Sequence, residues 1–304
     1  MGKNKMQLHH ITLLTGDIDS TSHFYTQILG FRFIKNSVNQ ENPTRRHIYF
    51  GNYNGQPGTV TTFIEVPRLG TRYDEDSYIQ GLDYYAPAKG SKFWQQHLTT
   101  NNITFSNQND ILSFTDPQGT PIRICFIAEE PAAASVIRNS TIPPQYQLLR
   151  LKNTNIYVTD LDAEEHFFTE MTGIETVNHL LNLDLGQSIT LMPAEQPGTK
   201  RFGRGSIDHV ALSAVDKNEI AAIRNSGNER NFHFEKEIDR KYFYSVYFRD
   251  PNRNRIEFAT LAPGFTVDED LDSLGEKLGL PDNLEPLREE LIDFYANEGV
   301  NFKS

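Results

Sequence analysis

DIDSTSHFYTQILG at residues 17–30 returns 143 positions later as DLDAEEHFFTEMTG at 160–173. Both copies open on an aspartate, carry a His-Phe-aromatic trio and stop at a glycine, the pattern of a short capped helix. FTDPQGTPIRI at 114–124 and FRDPNRNRIEF at 248–258 form a second pair, offset by 134, that sets an Asp-Pro turn before a strand in each half. Working outward, LHHITLLT (8–15) precedes the first helix as a β-branched strand, and FRFIKNSV, RRHIYFG and GTVTTFIEV follow it as three more. The unit therefore reads βαβββ.

GLDYYAPA, SKFWQQHLTTNN, FSNQND, ILSFTD and PIRICFIA repeat that order. A third unit runs from about Leu149 to Ala194, and a fourth from IDHVALSAV through a helix near 217–226 to RIEFATLA. The expectation is an α+β fold of four βαβββ modules forming two paired-module domains, residues 7–130 and 148–262. The Pro- and Ala-rich stretch 129–147 is expected to link them across the surface. From Pro263 to Ser304 the chain is an acidic extension in which LREELIDFYANEG forms a short amphipathic helix packed on the body. EQPGTKRFGRGS (195–206) reads as an exposed loop, since the spacing of Lys200, Arg201 and Arg204 fits no phosphate cradle.

With 304 residues, the chain can bury a large core. Its 29 Lys+Arg against 40 Asp+Glu leave a net charge of -11, which disfavours a nucleic-acid partner. A single cysteine, Cys125, excludes an intrachain disulfide and a thiolate zinc cluster, so any metal would be held by nitrogen and oxygen. Cysteine usage, the lack of an apolar signal segment and the lack of a long apolar run point to the cytoplasm and to no membrane span.

The repeats are most informative where they disagree, because packing should be shared while one site can be built in one copy alone. His10 falls on Asn153, and Glu257 falls on Arg123. Strand alternation sets His10 with Thr12 on one face and His9 with Ile11 on the other, His209 with Ala211 and Ser213, and Glu257 with Ala259. Two imidazoles and a carboxylate are a recurrent non-heme Fe(II) ligand set. Taken singly, each also reads as an ordinary strand histidine or a solvated carboxylate. The chain has no nucleophile elbow, His-Glu-x-x-His, Walker loop or Rossmann fingerprint. Cys125, Trp94, the paired His23 and His166, and Phe24/Tyr25 with Phe167/Phe168 read as packing.

HHIT (9–12), DHVA (208–211), RKYFYSVYFRDP (240–251) and IEFAT (256–260) resemble the vicinal oxygen chelate superfamily (glyoxalase, bleomycin resistance, extradiol dioxygenase), and within it the bacterial hydroquinone ring-cleaving dioxygenases. YFGN (49–52), GQPGT (55–59), APGF (262–265) and GEKLGLP (275–281) extend the likeness over nearly the whole chain. The resemblance implies an iron-dependent dioxygenase that opens a hydroquinone or related aromatic diol with O2. It implies metal ligation by His10, His209 and Glu257, with Fe(II) as the ion and Mn, Zn or Ni as alternatives. It also implies hydrogen-bonding or proton-transfer roles for His9, Thr12, Arg240 and Tyr247. Asp208 departs from the pattern, because close relatives usually carry another histidine there. An aspartate can orient an imidazole or bind a cationic group, but it lacks a neutral histidine's donor and acceptor pair. A glyoxalase-like isomerase or lyase, and a non-catalytic aromatic- or drug-binding protein, are the alternatives. A homodimer is a further expectation.

Overall fold

In this computed structural model residues 6–195 and 198–303 are described; the start of the chain, two residues of the 195–206 loop and Ser304 lie outside them. The first unit holds β1 (Leu8–Thr15), α1 (Ile18–His23) continued by a π turn to Ile28, β2 (Arg32–Asn39), β3 (Asn42–Gly51) and β4 (Val60–Glu65). After a two-residue strand β5 (Tyr73–Asp74) come β6 (Tyr78–Pro87), α2 (Ser91–Thr100), β7 (Ser106–Gln108), β8 (Ile111–Thr115) and β9 (Pro121–Ile127). The third unit holds β10 (Arg150–Val158), α3 (Leu161–Thr172), β11 (Leu180–Asn182) and β12 (Ser188–Pro193), two strands after its helix instead of the expected three. β13 (Lys200–Arg201) pairs with β5, so the expected plain loop contributes a short ladder. The fourth unit is β14 (Ile207–Ala214), α4 (Lys217–Glu229), β15 (His233–Asp239), β16 (Phe243–Arg249) and β17 (Arg255–Pro263), and α5 (Arg288–Asn297) follows in the extension.

The repeated aspartates cap as the sequence implies: Asp17 accepts from Ser20 N, Asp160 from Ala163 N, and Gly173 ends α3 in the left-handed region. Each sheet pairs two units, but not the two adjacent in the expected domains. The eight-stranded sheet runs β15-β16-β17-β14-β1-β4-β3-β2, and the seven-stranded sheet β11-β12-β10-β6-β9-β8-β7. The division at 7–130 and 148–262 therefore does not follow the hydrogen bonding. The first strand of every unit lies at an open edge that needs a partner. Residues 129–147 let β10 return antiparallel onto β6, which leaves β1 for β14. That segment also packs: Ile142 is fully buried, and Ser140 Oγ donates to Gly30 O. Gly30 has positive φ, and a Cβ there would lie 2.3 Å from Ile142 Cγ1, so only glycine fits.

Alternation divides the eight-stranded sheet into two faces. Ile11, Leu13, Ile48, Phe50, Val210, Leu212, Val246, Phe248, Ile256 and Phe258 join the helices in the main core. The opposite face curls into a cup, where a smaller apolar cluster (Ile34, Tyr49, Val60, Tyr242, Phe243, Ala259, Phe265, Leu274) surrounds polar residues. Phe265 and Leu274 belong to the extension, which therefore walls one end of the cup. It is pinned there by the fully buried Lys35, whose Nζ lies 2.7 Å from Asp268 and also bonds Glu269. α5 packs through Leu291 and Tyr295, and Tyr295 Oη donates to Pro43 O.

Candidate metal centre

Cross-strand register brings the ends of the chain together. Tyr247, Glu257, Ala211 and His10 follow one another across β16, β17, β14 and β1. The next row sets Arg255, His209, Thr12, Thr62 and Tyr49 side by side. His10 and Glu257 thus flank the small Ala211, and His209 stands two residues before it. His209 Nε2 lies 2.8 Å from Glu257 Oε2 and 3.4 Å from His10 Nε2, and His10 Nε2 lies 3.3 Å from the same carboxylate oxygen. All three side chains are buried.

Ligand atoms about 2.1 Å from one ion stand about 3.0 Å apart at right angles and about 3.4 Å apart in a tetrahedron, so these separations suit a single ion. Two observations support the fit. Glu257 Oε1 accepts from Ser245 Oγ at 2.5 Å, whereas the buried Oε2 is faced by the two imidazole Nε2 atoms and by no other hydrogen-bond partner among the described residues. Both imidazoles, moreover, are held with Nε2 free of other duties. His9 Nε2–H donates to Thr260 O at 3.2 Å, which leaves His9 Nδ1 to accept from His10 Nδ1–H at 2.8 Å. On the other side His209 Nδ1–H donates to Asp208 Oδ2 at 2.7 Å, and Arg255 Nη1 donates to that same oxygen at 2.6 Å. A carboxylate behind a ligating imidazole fixes its tautomer and raises its basicity.

The electrostatics follow from burial and charge. Burial and the neighbouring His10 push His9 down to about 3, so it stays a neutral relay. Burial also lowers His10, against the pull of Glu257. Burial opposes charge on His209, yet Glu257 and Asp208 outweigh it and raise that imidazole. Burial likewise opposes ionisation of Glu257 and Asp208; His10 and His209 hold the former well below the usual range, and His209 with Arg255 hold the latter low. Burial raises Tyr247 well above a free phenol, against the effect of Arg240.

Among the sequence-derived residues, the structure brings His10, His209 and Glu257 to one point, with His9 and Asp208 bonded to the two imidazoles. Thr12 lies beside His209 in register. Arg240 Nη2 donates to Tyr247 Oη at 3.0 Å, and the Tyr247 ring meets His209 edge-on at 5.5 Å. One expectation fails: His9 does not keep to the Ile11 face. A register shift between Leu8 and His10 marks a bulge at His9, which interrupts the alternation and sets both rings against Phe243, at 5.0 and 5.2 Å. Sequence reasoning also missed His47, Tyr49, Thr62, Ser245 and Arg255. Their signal was present in strand parity, because His47 and Tyr49 alternate with the core residues Ile48 and Phe50.

The sequence profile of the Glyoxalase/Bleomycin resistance protein/Dioxygenase superfamily matches residues 7–62 and 150–258. A Bacillus subtilis (strain 168) protein with the provisional name ring-cleaving dioxygenase MhqA is 29% identical, over 93% of this chain and 96% of its own length. The chlorohydroquinone/hydroquinone 1,2-dioxygenase of Sphingobium indicum is 26% identical, over 94% of both chains. Among solved structures, a provisionally named dioxygenase from Bacillus subtilis superposes with a TM-score of 0.87 at 26% identity, covering 99% of each chain. Glyoxalase I from Zea mays shares the fold, with a TM-score of 0.58 at 13% identity over 84% of this chain and 92% of its own.

Proposed function

The chain belongs to the glyoxalase/bleomycin resistance protein/dioxygenase superfamily, and on that footing we propose that it is a ring-cleaving dioxygenase for a hydroquinone or related aromatic diol, with His10, His209 and Glu257 ligating Fe(II). The convergence of two imidazole Nε2 atoms on the buried Oε2 of Glu257 carries the reading. The names of the relatives supply the reaction class. Held by His10, His209 and Glu257, the ion would supply Lewis-acid and redox chemistry toward a phenolic oxygen and O2.

The chain's own residues do the rest. Arg240, a cation, and Tyr247, kept a neutral phenol by burial, present donor hydrogens to the second oxygen of the diol and stabilise negative charge on it. Phe243 covers the His9 and His10 rings and excludes water on that side. His9 and Asp208 hold the two ligand tautomers and orient them without touching substrate. Cys125 is buried and unpaired, which fits a reducing compartment such as the cytoplasm. No described helix is long and apolar enough to cross a membrane.

Oxygen consumption by anaerobically Fe(II)-loaded protein with a panel of substituted hydroquinones tests the reading, with Mn-, Zn- and Ni-loaded protein alongside. Uptake confined to the iron form is expected. No uptake across the panel, or oxygen-independent turnover with a redox-inactive ion, would overturn it.

A further inference from the structure

Four polar groups form a row in the cup beside the candidate ligands. Tyr49 Oη lies 3.1 Å from His47 Nδ1, His47 Nε2 lies 2.8 Å from Thr62 Oγ1, and Thr62 Oγ1 lies 2.9 Å from Thr12 Oγ1. Register makes the row continuous with the centre: Tyr49 pairs with Thr62, Thr62 with Thr12, and Thr12 with His209. All four side chains are buried, and among the described residues their polar atoms bond only one another.

A hydrogen count gives this row a direction. Two threonine hydroxyls, a phenol and a neutral imidazole carry four hydrogens for three links, so one hydrogen is left over, on Tyr49, on Thr62 or on Thr12. On Thr62 it would need that hydroxyl to accept from both neighbours, leaving its own buried hydrogen with no acceptor among the described residues. Burial, with the Arg240 cation adding to it, drives His47 well below the usual histidine range and keeps the imidazole singly protonated. If the spare hydrogen sat on Tyr49, it would lack an acceptor, because among the described residues that buried hydroxyl bonds His47 alone and its ring lies in the cluster of Ile34, Val60, Tyr242 and Phe265. If it sits on Thr12, it lies beside His209 and on the strand face of His10, where a ligand oxygen can take it.

We propose that Tyr49 and His47 act through Thr62 to make Thr12 Oγ a fixed hydrogen-bond donor to an anionic oxygen of the ligand bound at the centre. Tyr49 Oη–H donates to His47 Nδ1, His47 Nε2–H to Thr62, and Thr62 to Thr12. No bond to hydrogen breaks, and the row serves as a pre-aimed dipole chain. His47, Tyr49 and Thr62 are positioning residues; Thr12 alone touches the ligand. The identity of that oxygen, a phenolate of the diol, rests on the dioxygenase reading, whereas the direction of the row does not.

The test is the tautomer of His47, read by nitrogen NMR of 15N-histidine-labelled protein loaded with diamagnetic Zn(II), alone and with a substituted hydroquinone. His47→Gln assigns the signal. The expected state is Nε2–H with an unprotonated Nδ1. Tyr49→Phe and Thr12→Val should bind the hydroquinone about tenfold more weakly at unchanged metal content, and Thr12→Ser should restore binding. An Nδ1–H tautomer, or wild-type affinity in Tyr49→Phe, overturns the proposal and leaves the dioxygenase reading in place. A protein that takes up no oxygen yet shows the Nε2–H tautomer loses the dioxygenase reading and keeps the row. Should either variant fail to fold, the wild-type tautomer decides alone.

Discussion

Removing Asp208 in two grades measures how the centre holds its second histidine. One carboxylate oxygen takes both bonds, from His209 Nδ1 at 2.7 Å and Arg255 Nη1 at 2.6 Å. In Asp208→Asn the amide oxygen can occupy the same place and keep both contacts, but it loses the charge. A charge-assisted bond contributes about 1.5–3 kcal/mol and a neutral one about 1 kcal/mol, so the His209 link should weaken by roughly 1 kcal/mol, about fivefold in metal affinity. In Asp208→Ala nothing fixes the His209 tautomer, and the loss should reach about 10- to 100-fold. Arg255 does not collapse into the gap, because Glu235 holds it through two bonds and is itself held by Arg249. Glu235→Gln therefore serves as the control and should cost less than the asparagine variant. Competition for Zn(II) against a chromophoric chelator gives the three constants. Wild-type affinity in Asp208→Ala would refute the orienting role.

Ala211 separates Glu257 from His10 in register and is fully buried. Ala211→Leu should place the added carbons where the ion would sit and abolish metal uptake with the fold retained, as read by elemental analysis and circular dichroism; a full metal complement would contradict that placement. Glu164 is fully buried, with Oε2 accepting from Asn252 at 2.8 Å, and burial with the Asp250 carboxylate beside it raises its pKa well above normal. Its protonated form is the one the fold tolerates. This contribution to stability is complete below the unfolded glutamate value of about 4.3 and lost as pH rises through the raised folded value. Glu164→Gln should flatten the fall in denaturation midpoint as pH rises above the unfolded glutamate value, and parallel curves would rule this out. Lys35→Met leaves Asp268 and Glu269 without their buried cation, at a cost of about 3–5 kcal/mol. Residues 264–303 should then become protease-sensitive, and adding Asp268→Asn and Glu269→Gln should restore protection.

The capped helices, the Asp-Pro turns and most strands were legible because each is set by local residues that recur in the second half of the chain. Two of the three converging residues stood out for the opposite reason: His10 and Glu257 break the repeat, at Asn153 and Arg123, whereas His209 came with the family resemblance. What escaped depends on register. Strict alternation puts His9 in the core, and only the bulge opposite Leu212 and Ala211 turns it beside His10. His47 and Tyr49 look like ordinary strand residues until β3, β4 and β1 are aligned and Thr62 and Thr12 fall next to them. Lys35 in FRFIKNSV gives no hint that its partners lie more than two hundred residues away. The pairing of units was equally hidden, since the first strands of all four units meet a partner unit's first strand and nothing local selects which.

The second sheet shows why duplication yields a single candidate centre. There β10, β6 and β9 stand as β1, β14 and β17 do in the first, with the same antiparallel and parallel pairings. Glu257 corresponds to Arg123, His10 to Asn153 and, through the pairing of Leu82 with Ile122 and of Val210 with Ile256, His209 to Gly81. Arg123 bonds Asp83 through Nε and Nη2 at 2.6 Å each, while Asn153 Oδ1 accepts from Ser188 and Thr190. A guanidinium thus neutralises the carboxylate in one cup, whereas in the other two imidazoles converge on the carboxylate. Metal titration should accordingly reach one ion per chain. Arg123→Glu should not raise that number, because Gly81 offers no side-chain donor and Asn153 is a poor substitute for an imidazole. A second ion in the wild-type protein would show that the two cups are not chemically distinct in the way their side chains require.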